Sequence, residues 1–287
     1  MAPIGTRPTE QAAYPAELLY CPQSKLVQLG LIVDPAVLFP PHYAYTSGTT
    51  RILVENFAEL YQEVMRLYPI TREDLVVDVG SNDGTLLSNF HTAGHRVCGV
   101  EPTDTYRIAL GHGIDTINDF FGPKAAHEVV RQRGRCKVVT ATNVFAHTEH
   151  VHDIVKSILT MLDHDGIFIS ESHYLLPLIE KLQYDTIYHE HLRYYSVQSL
   201  KYLLEMHGLE VIHAKRIPTH GGSVRVYAAR KGQKAVERSV AELLAVEEQQ
   251  LTWERFMDFR SRASQSKLDL MALLKDIRSK GERVYGI

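Results

Sequence analysis

Three cysteines, one tryptophan and a formal charge of only −3 in 287 residues leave little room for several kinds of protein. Cys21, Cys98 and Cys136 are too few and too scattered for a disulfide framework, and they read as reduced structural thiols. No run approaches the roughly 18 apolar residues that cross a bilayer. The N-terminus lacks the basic-then-apolar pattern of a secretory signal, so a cytoplasmic protein with no membrane association is expected. No basic stretch stands out, which argues against a nucleic-acid surface. Also missing are G-x-G-x-x-G, G-K-[ST] and H-E-x-x-H, the marks of diphosphate-binding turns and of zinc hydrolases. What is present is an ordinary globular composition, 45% apolar and 23% charged, enough to build a buried core.

The chain divides by pattern. Residues 1–50 are proline-rich and irregular, with short strands at 18–20 and 25–29. Apolar residues then recur as Leu53, Phe57, Leu60, Tyr61, Val64 and Leu67, the single stripe of a helix over 51–67. From there strands at 75–79, 96–100, 114–117, 136–141 and 165–171 alternate with helices near 84–92, 104–111, 123–132 and 150–162. Such alternation predicts an α/β fold with a mostly parallel, doubly wound sheet. After a helix over 196–207, two β-rich runs at 210–216 and 223–230 predict an antiparallel pair closing one edge. Residues 51–232 would form this domain. Residues 233–287 would form a helical extension, read as a packed helical pair with a single extended arm as the alternative. Gly281 to Ile287 reads as the opening of a further strand.

One stretch points to a ligand. Val76-Val77-Asp78-Val79-Gly80-Ser81-Asn82-Asp83-Gly84-Thr85 reads as a buried strand, a glycine turn and a helix start, and Val100-Glu101-Pro102 ends the next strand. That order builds a crevice at the carboxyl ends of parallel strands. Gly80 and Gly84 permit the sharp turn, and Glu101 is placed to accept two ribose hydroxyls. No basic residue waits for a diphosphate, so a nucleoside without phosphates fits better, with S-adenosylmethionine (SAM) the foremost candidate. Asp119-Phe120-Phe121, after the short strand, offers an acid and an aromatic wall for an adenine, although paired phenylalanines also suit a core.

The densest reactive segment is Tyr184 to Tyr195, containing Tyr188-His189-Glu190-His191. Strict alternation would put Tyr188 and Glu190 on one side and both histidines on the other, whereas a loop could gather several of them. His191 can take a proton near neutral pH, Glu190 can orient it or accept a substrate hydroxyl, and Tyr188 can donate to a developing oxyanion. Metal binding by this cluster lacks supporting spacing, and Cys21-Pro22-Gln23-Ser24 holds only half a C-x-x-C knuckle. Asn143 and His147 follow the strand ending near 141 and face the same crevice. His220-Gly221-Gly222 opens the last strand.

Taken in order, Asp78 to Gly84, Asn143 to His147, Tyr188 to His191 and His220 to Ser223 resemble the sugar C-methyltransferases of deoxysugar biosynthesis. The resemblance covers 14–287, nearly the whole chain. It implies the class I SAM-methyltransferase (Rossmann-like) fold with a seven-stranded sheet, and methylation of C3 of a thymidine-diphosphate-linked 4-keto-deoxysugar. By the same resemblance, Asp78, Gly80, Asn82, Asp83, Gly84, Glu101, Asp119, Phe120 and Asn143 bind SAM. His191 is the base, in a catalytic cluster with Glu190, Tyr188, His147 and Tyr45. S-adenosylhomocysteine would be the product, no metal is expected, and a monomer or weak homodimer would suffice. The chain departs from the family at the N-terminus, where a four-cysteine zinc knuckle is reduced to Cys21, and at Ile287, the threshold of a second Rossmann-like domain. O- or N-methyl transfer to another small metabolite, or SAM binding without turnover, are the rival expectations.

Overall fold

The computed structural model describes residues 12–38 and 45–285. Elements follow the periodicities in the chain. Short apolar runs become β3 (Leu75–Val79), β4 (Arg96–Val100), β5 (Thr116–Ile117), β6 (Cys136–Thr142) and β7 (Leu162–His173). Between and before them lie α2 (Arg51–Leu67), α3 (Thr85–Thr92), α4 (Tyr106–Gly111), α5 (Pro123–Arg133) and α6 (Val151–Met161). The N-terminal segment supplies β1 (Leu18–Cys21), β2 (Leu26–Leu29) and the single turn α1 (Pro35–Leu38). Downstream come α7 (Leu175–Glu180), β8 (Arg193–Tyr194), α8 (Val197–Glu205), β9 (Leu209–Ile217) and β10 (Ser223–Arg230). The chain then runs into α9 (Arg238–Gln250) and α10 (Trp253–Ser279).

Seven strands form one sheet in the order β5-β4-β3-β6-β7-β10-β9. β5, β4, β3, β6 and β7 pair in parallel, and β10 pairs antiparallel with both β7 and β9. This is the strand order expected for a class I SAM-methyltransferase, with the last of the described strands inserted between β7 and β9. Alternation along β3 shows why it is wound on both faces. Val77 and Val79 enter a core with α5, α6 and α8, while Val76 enters a second core with α2 and α3. The strand order reverses at β3, so the crevice opens at the carboxyl ends of β3 and β6.

A second, antiparallel sheet of order β1-β2-β8 was not anticipated. It joins the N-terminal segment to the strand that follows the Tyr188–His191 loop.

The C-terminal tract departs from a packed helical pair. In α9, Val240 joins the main core and Glu247 is buried, whereas in α10 only Phe259 is buried. Phe256 and Phe259 pack against Leu175, Leu178, Ile179 and the small sheet. Beyond them Leu268 and Met271 are 60% and 59% exposed, so the distal helix has the character of an arm. Residues 281–285 form no strand, and the remainder of that expected element lies outside the described residues. No described helix is long and apolar enough to cross a membrane.

Candidate active site

The β3–α3 turn is built on residues that tolerate positive φ. Gly80 sits at φ 68°, and a Cβ there would lie 2.8 Å from Val144 Cγ2, so only glycine fits without displacing the opposite wall. Asn82 is also left-handed, at φ 50°. Its backbone N–H donates to Glu101 Oε2 at 2.9 Å, tying the turn to the end of β4. Glu101 Oε1 accepts from Thr103 N at 2.8 Å and Thr103 Oγ1 at 2.5 Å. Both oxygens of this buried carboxylate therefore already have protein donors, which fix its plane while leaving lone pairs for a ligand. Asp78 is buried and accepts from Thr140 Oγ1 at 2.6 Å. Burial pushes its carboxyl up to about 7, with Glu101 and Glu171 adding to the rise and the Thr140 bond opposing it.

A strap closes over this turn. Ser47 N donates to Asn82 Oδ1 at 2.9 Å, Gly48 N to Asp83 Oδ2 at 2.8 Å, and Asn82 Nδ2 to Tyr45 O at 3.1 Å. Asp83 Oδ1 meanwhile accepts from Thr85 N and Oγ1 at the start of α3.

The reactive cluster gathers from two loops, one after β6 and one before β8. After β6, Asn143 turns at φ 58° while its N–H still bonds Glu171 O. Phe145 then drops into the core against Phe168, which anchors His147. On the other side Leu192 N donates to Ala146 O at 2.7 Å, and Leu29 N donates to Leu192 O at 2.9 Å. The small sheet thus holds the Tyr188–His191 loop against the β6 loop, with the His147 and His191 rings 5.1 Å apart. His191 Nδ1 lies 3.2 Å from Thr186 O, a carbonyl that can only accept, so Nδ1 carries the proton. Nε2 is then the basic atom, and it accepts from the Tyr188 hydroxyl at 3.2 Å.

Burial lowers the His191 imidazole to about 4, helped by His173 and His220. Burial likewise lowers His147 to about 3, with His191 adding to it and a hydrogen bond to the Glu190 backbone opposing. Both rings are neutral at physiological pH. Burial, then Glu190, raises the Tyr188 phenol, which keeps it a donor.

One cavity of about 740 Å³ receives most of the expected residues. Asp78, Gly80, Asn82, Glu101, Phe120, Asn143, Tyr45, His147, Tyr188, Glu190 and His191 line it. Asp83, Gly84 and Asp119 do not. Asp83 is spent on the strap and on α3. Gly84, at φ 80°, packs so closely that a Cβ would meet Ile114 Cδ1 at 2.9 Å. Asp119 accepts from Lys124 Nζ at 2.6 Å and from the Phe120 N–H, outside the cavity wall. Because the segment is a loop, His189 turns outward to Pro15 O while its neighbours face inward. Among the described residues no cluster of three or more His, Cys, Asp or Glu has metal-holding geometry.

Sequence reasoning passed over His173, Thr103 and Ser47, which also line the cavity. His173 ends β7 and bonds Gln183 Oε1 at 3.2 Å. Its signal was its place at a strand terminus, hidden because the strand runs two residues beyond the expected end.

The sequence is similar to known methyltransferases. The family described as "Methyltransferase domain" matches residues 53–214, and the one described as "C-methyltransferase C-terminal domain" matches residues 218–287. C-methyltransferase NovU of Streptomyces niveus is 32% identical over 280 residues, which cover 96% of this chain and 66% of the relative. The chain therefore spans about two thirds of that relative's length. Among solved structures, a SAM-dependent methyltransferase from Thermotoga maritima is 17% identical, covering 63% of this chain and 92% of the other at a TM-score of 0.46. Magnesium protoporphyrin IX methyltransferase from Synechocystis, with bound S-adenosylhomocysteine, is 14% identical over 62% and 83% at 0.46. The sequence resemblance to C-methyltransferases is borne out: the chain belongs to the methyltransferase-domain family and carries the C-methyltransferase C-terminal match.

Proposed function

We propose that the chain performs SAM-dependent C-methyl transfer to C3 of a nucleotide-linked 4-keto-deoxysugar, through an enolate. The observation that carries this reading is the meeting, in one cavity, of an acidic glycine turn with a neutral Tyr188–His191 pair. SAM suits the turn on chemical grounds. Asp78 and Glu101 line it, and none of the described lining residues is Lys or Arg, so a positively charged ligand is favoured over a diphosphate. The missing Cβ at Gly80 leaves the backbone open to close approach, and the volume suits a nucleoside. Asp78, Gly80, Asn82 and Glu101 would hold the methionine and ribose portions, with Phe120 and Asn143 beside the adenine and sulfonium. When bound, SAM supplies a methyl group already made electrophilic by its sulfonium charge.

The chain's own task is the proton. A 4-keto group acidifies C3–H because the resulting charge moves onto oxygen. His191 Nε2 accepts that proton, while the Nδ1–H to Thr186 O holds the ring and its tautomer. The incoming proton displaces the Tyr188 hydroxyl from Nε2, freeing it to donate to the oxygen that gains charge. An imidazole lowered to about 4 binds its proton weakly, so deprotonation depends on that oxyanion contact. Glu190 accepts a sugar hydroxyl, and the fixed loops supply orientation.

The test is exchange of the C3 proton of a thymidine-diphosphate-linked 4-keto-deoxysugar into heavy water, followed by NMR. His191→Asn abolishes exchange with S-adenosylhomocysteine affinity retained. Unchanged exchange, or a methyl group found on oxygen by mass spectrometry and NMR, refutes the reading.

A further inference from the structure

Asp83 stands in the middle of the glycine turn yet is absent from the cavity wall, and both of its carboxylate oxygens have protein donors. One oxygen takes two donors from Thr85 and the other takes the Gly48 N–H. Beside it Asn82 takes the Ser47 N–H and donates to Tyr45 O. Three hydrogen bonds thus join segments 35 to 37 residues apart, one of them to a buried carboxylate. Gly48 is cut to fit this contact. A Cβ there would stand 2.8 Å from Thr85 Oγ1 and 3.0 Å from Asp83 Oδ2. The strap these bonds hold carries Tyr45 and Ser47 to the cavity wall.

We infer that Asp83, with Asn82, is a positioning residue that fastens the 45–50 strap to the glycine turn and so sets Tyr45 against the substrate. The same turn that receives the cofactor on its cavity side grips the strap on its other side. Loss of the Asp83 carboxylate therefore harms turnover rather than cofactor affinity. The inference rests on the proposed function and on the expectation that Tyr45, on the cavity wall, belongs to the catalytic cluster, so one arm of the test reads the strap without turnover.

Hydrogen–deuterium exchange of the peptide spanning 45–50 reads the fastening directly. In Asp83→Ala its amides exchange at least about tenfold faster than in the parent, with α3 peptides less affected. In methyl transfer to the 4-keto-sugar nucleotide, kcat falls by about tenfold or more, since small misplacements of positioned groups cost that much. Affinity for S-adenosylhomocysteine by calorimetry stays within about threefold. Asp83→Asn, whose amide oxygen still accepts from Gly48, recovers most of kcat. Gly48→Ala reproduces the kcat loss from the opposite side of the contact, and serves if Asp83→Ala fails to fold. In a Tyr45→Phe background Asp83→Ala adds less than about twofold, because both act through one group. Unchanged exchange over 45–50 overturns the inference. So does a cofactor affinity weakened about tenfold with kcat intact, which would make Asp83 a ligand. Intact kcat in Tyr45→Phe with the strap loosened in Asp83→Ala would overturn the role of Tyr45 and leave the methyltransferase reading standing.

Discussion

Arg225 is the largest fully buried side chain among the described residues, at 0% exposure, and its replacement by methionine gives a sharp test of how the sheet is held. Its Nε donates to Glu171 Oε1 at 2.6 Å, Nη1 to Glu59 Oε2 at 2.5 Å and Glu63 Oε2 at 2.9 Å, and Nη2 to Asn56 O and Oδ1. Methionine fills much of the volume and removes every donor. Glu59 and Glu63 keep Lys215 as a partner, and Glu63 keeps the Tyr227 hydroxyl. Glu171, almost fully buried, keeps only Asn56 Nδ2 at 2.9 Å. Burial already raises the Glu171 carboxyl and Arg225 is what opposes it, so the variant strands one charge in a dry site. Removing one partner of a buried pair costs about 3–5 kcal/mol. Urea unfolding of Arg225→Met at pH 7 should show that loss as a lower midpoint with an unchanged slope. Adding Glu171→Gln should recover about 2 kcal/mol, because the stranded charge is gone. A single variant within about 1 kcal/mol of the parent, or no recovery in the double variant, refutes this account.

Two pH effects follow from the same physics. Asp78 titrates at about 7 in the free chain, and a bound sulfonium favours its ionised form, so SAM affinity should fall by up to about tenfold per unit as pH drops below 7. Calorimetry in buffers of different ionisation enthalpy should register proton release on binding at pH 6; affinity independent of pH between 6 and 8 would contradict the charge assignment. His147 and His191 are depressed to about 3 and about 4, against 6.5 when unfolded. The unfolded chain therefore binds protons that the folded chain refuses. Stability is full above pH 6.5 and falls as pH drops toward the folded values, by about 2 kcal/mol per histidine at pH 5. Urea midpoints at pH 7 and 5 should differ less in His147→Asn than in the parent.

The sequence yielded what is local. β3, β4 and α2 lie where their apolar patterns put them, because a buried parallel strand and an amphipathic helix each write their period into adjacent residues. Four histidine, tyrosine and glutamate positions of the reactive cluster were visible through sheer density and through their place at strand ends. The small sheet was not visible, since β8 has two residues and its partner β2 lies far upstream. Nor was α7, a six-residue helix carrying Pro177 within an apolar run that reads equally as strand. The contacts of Asn82 and Asp83 with the strap were invisible for a related reason. A turn motif shows which residues are near the cofactor, not which of their faces is taken by a strap 35 residues earlier. Arg225 reads as a surface cation in a strand, and its partners on α2 lie up to 169 residues away.

That separation has a bearing on synthesis. A ribosome delivers α2 long before β10, and Glu59 lies 166 residues ahead of the arginine it meets. Until then Glu59 and Glu63 lack the Arg225 guanidinium, and seating α2 on the half-made sheet would dehydrate these carboxylates with Lys215 of β9 as their main partner. The set of partners that α2 meets on the sheet is therefore complete only when β10 enters between β7 and β9.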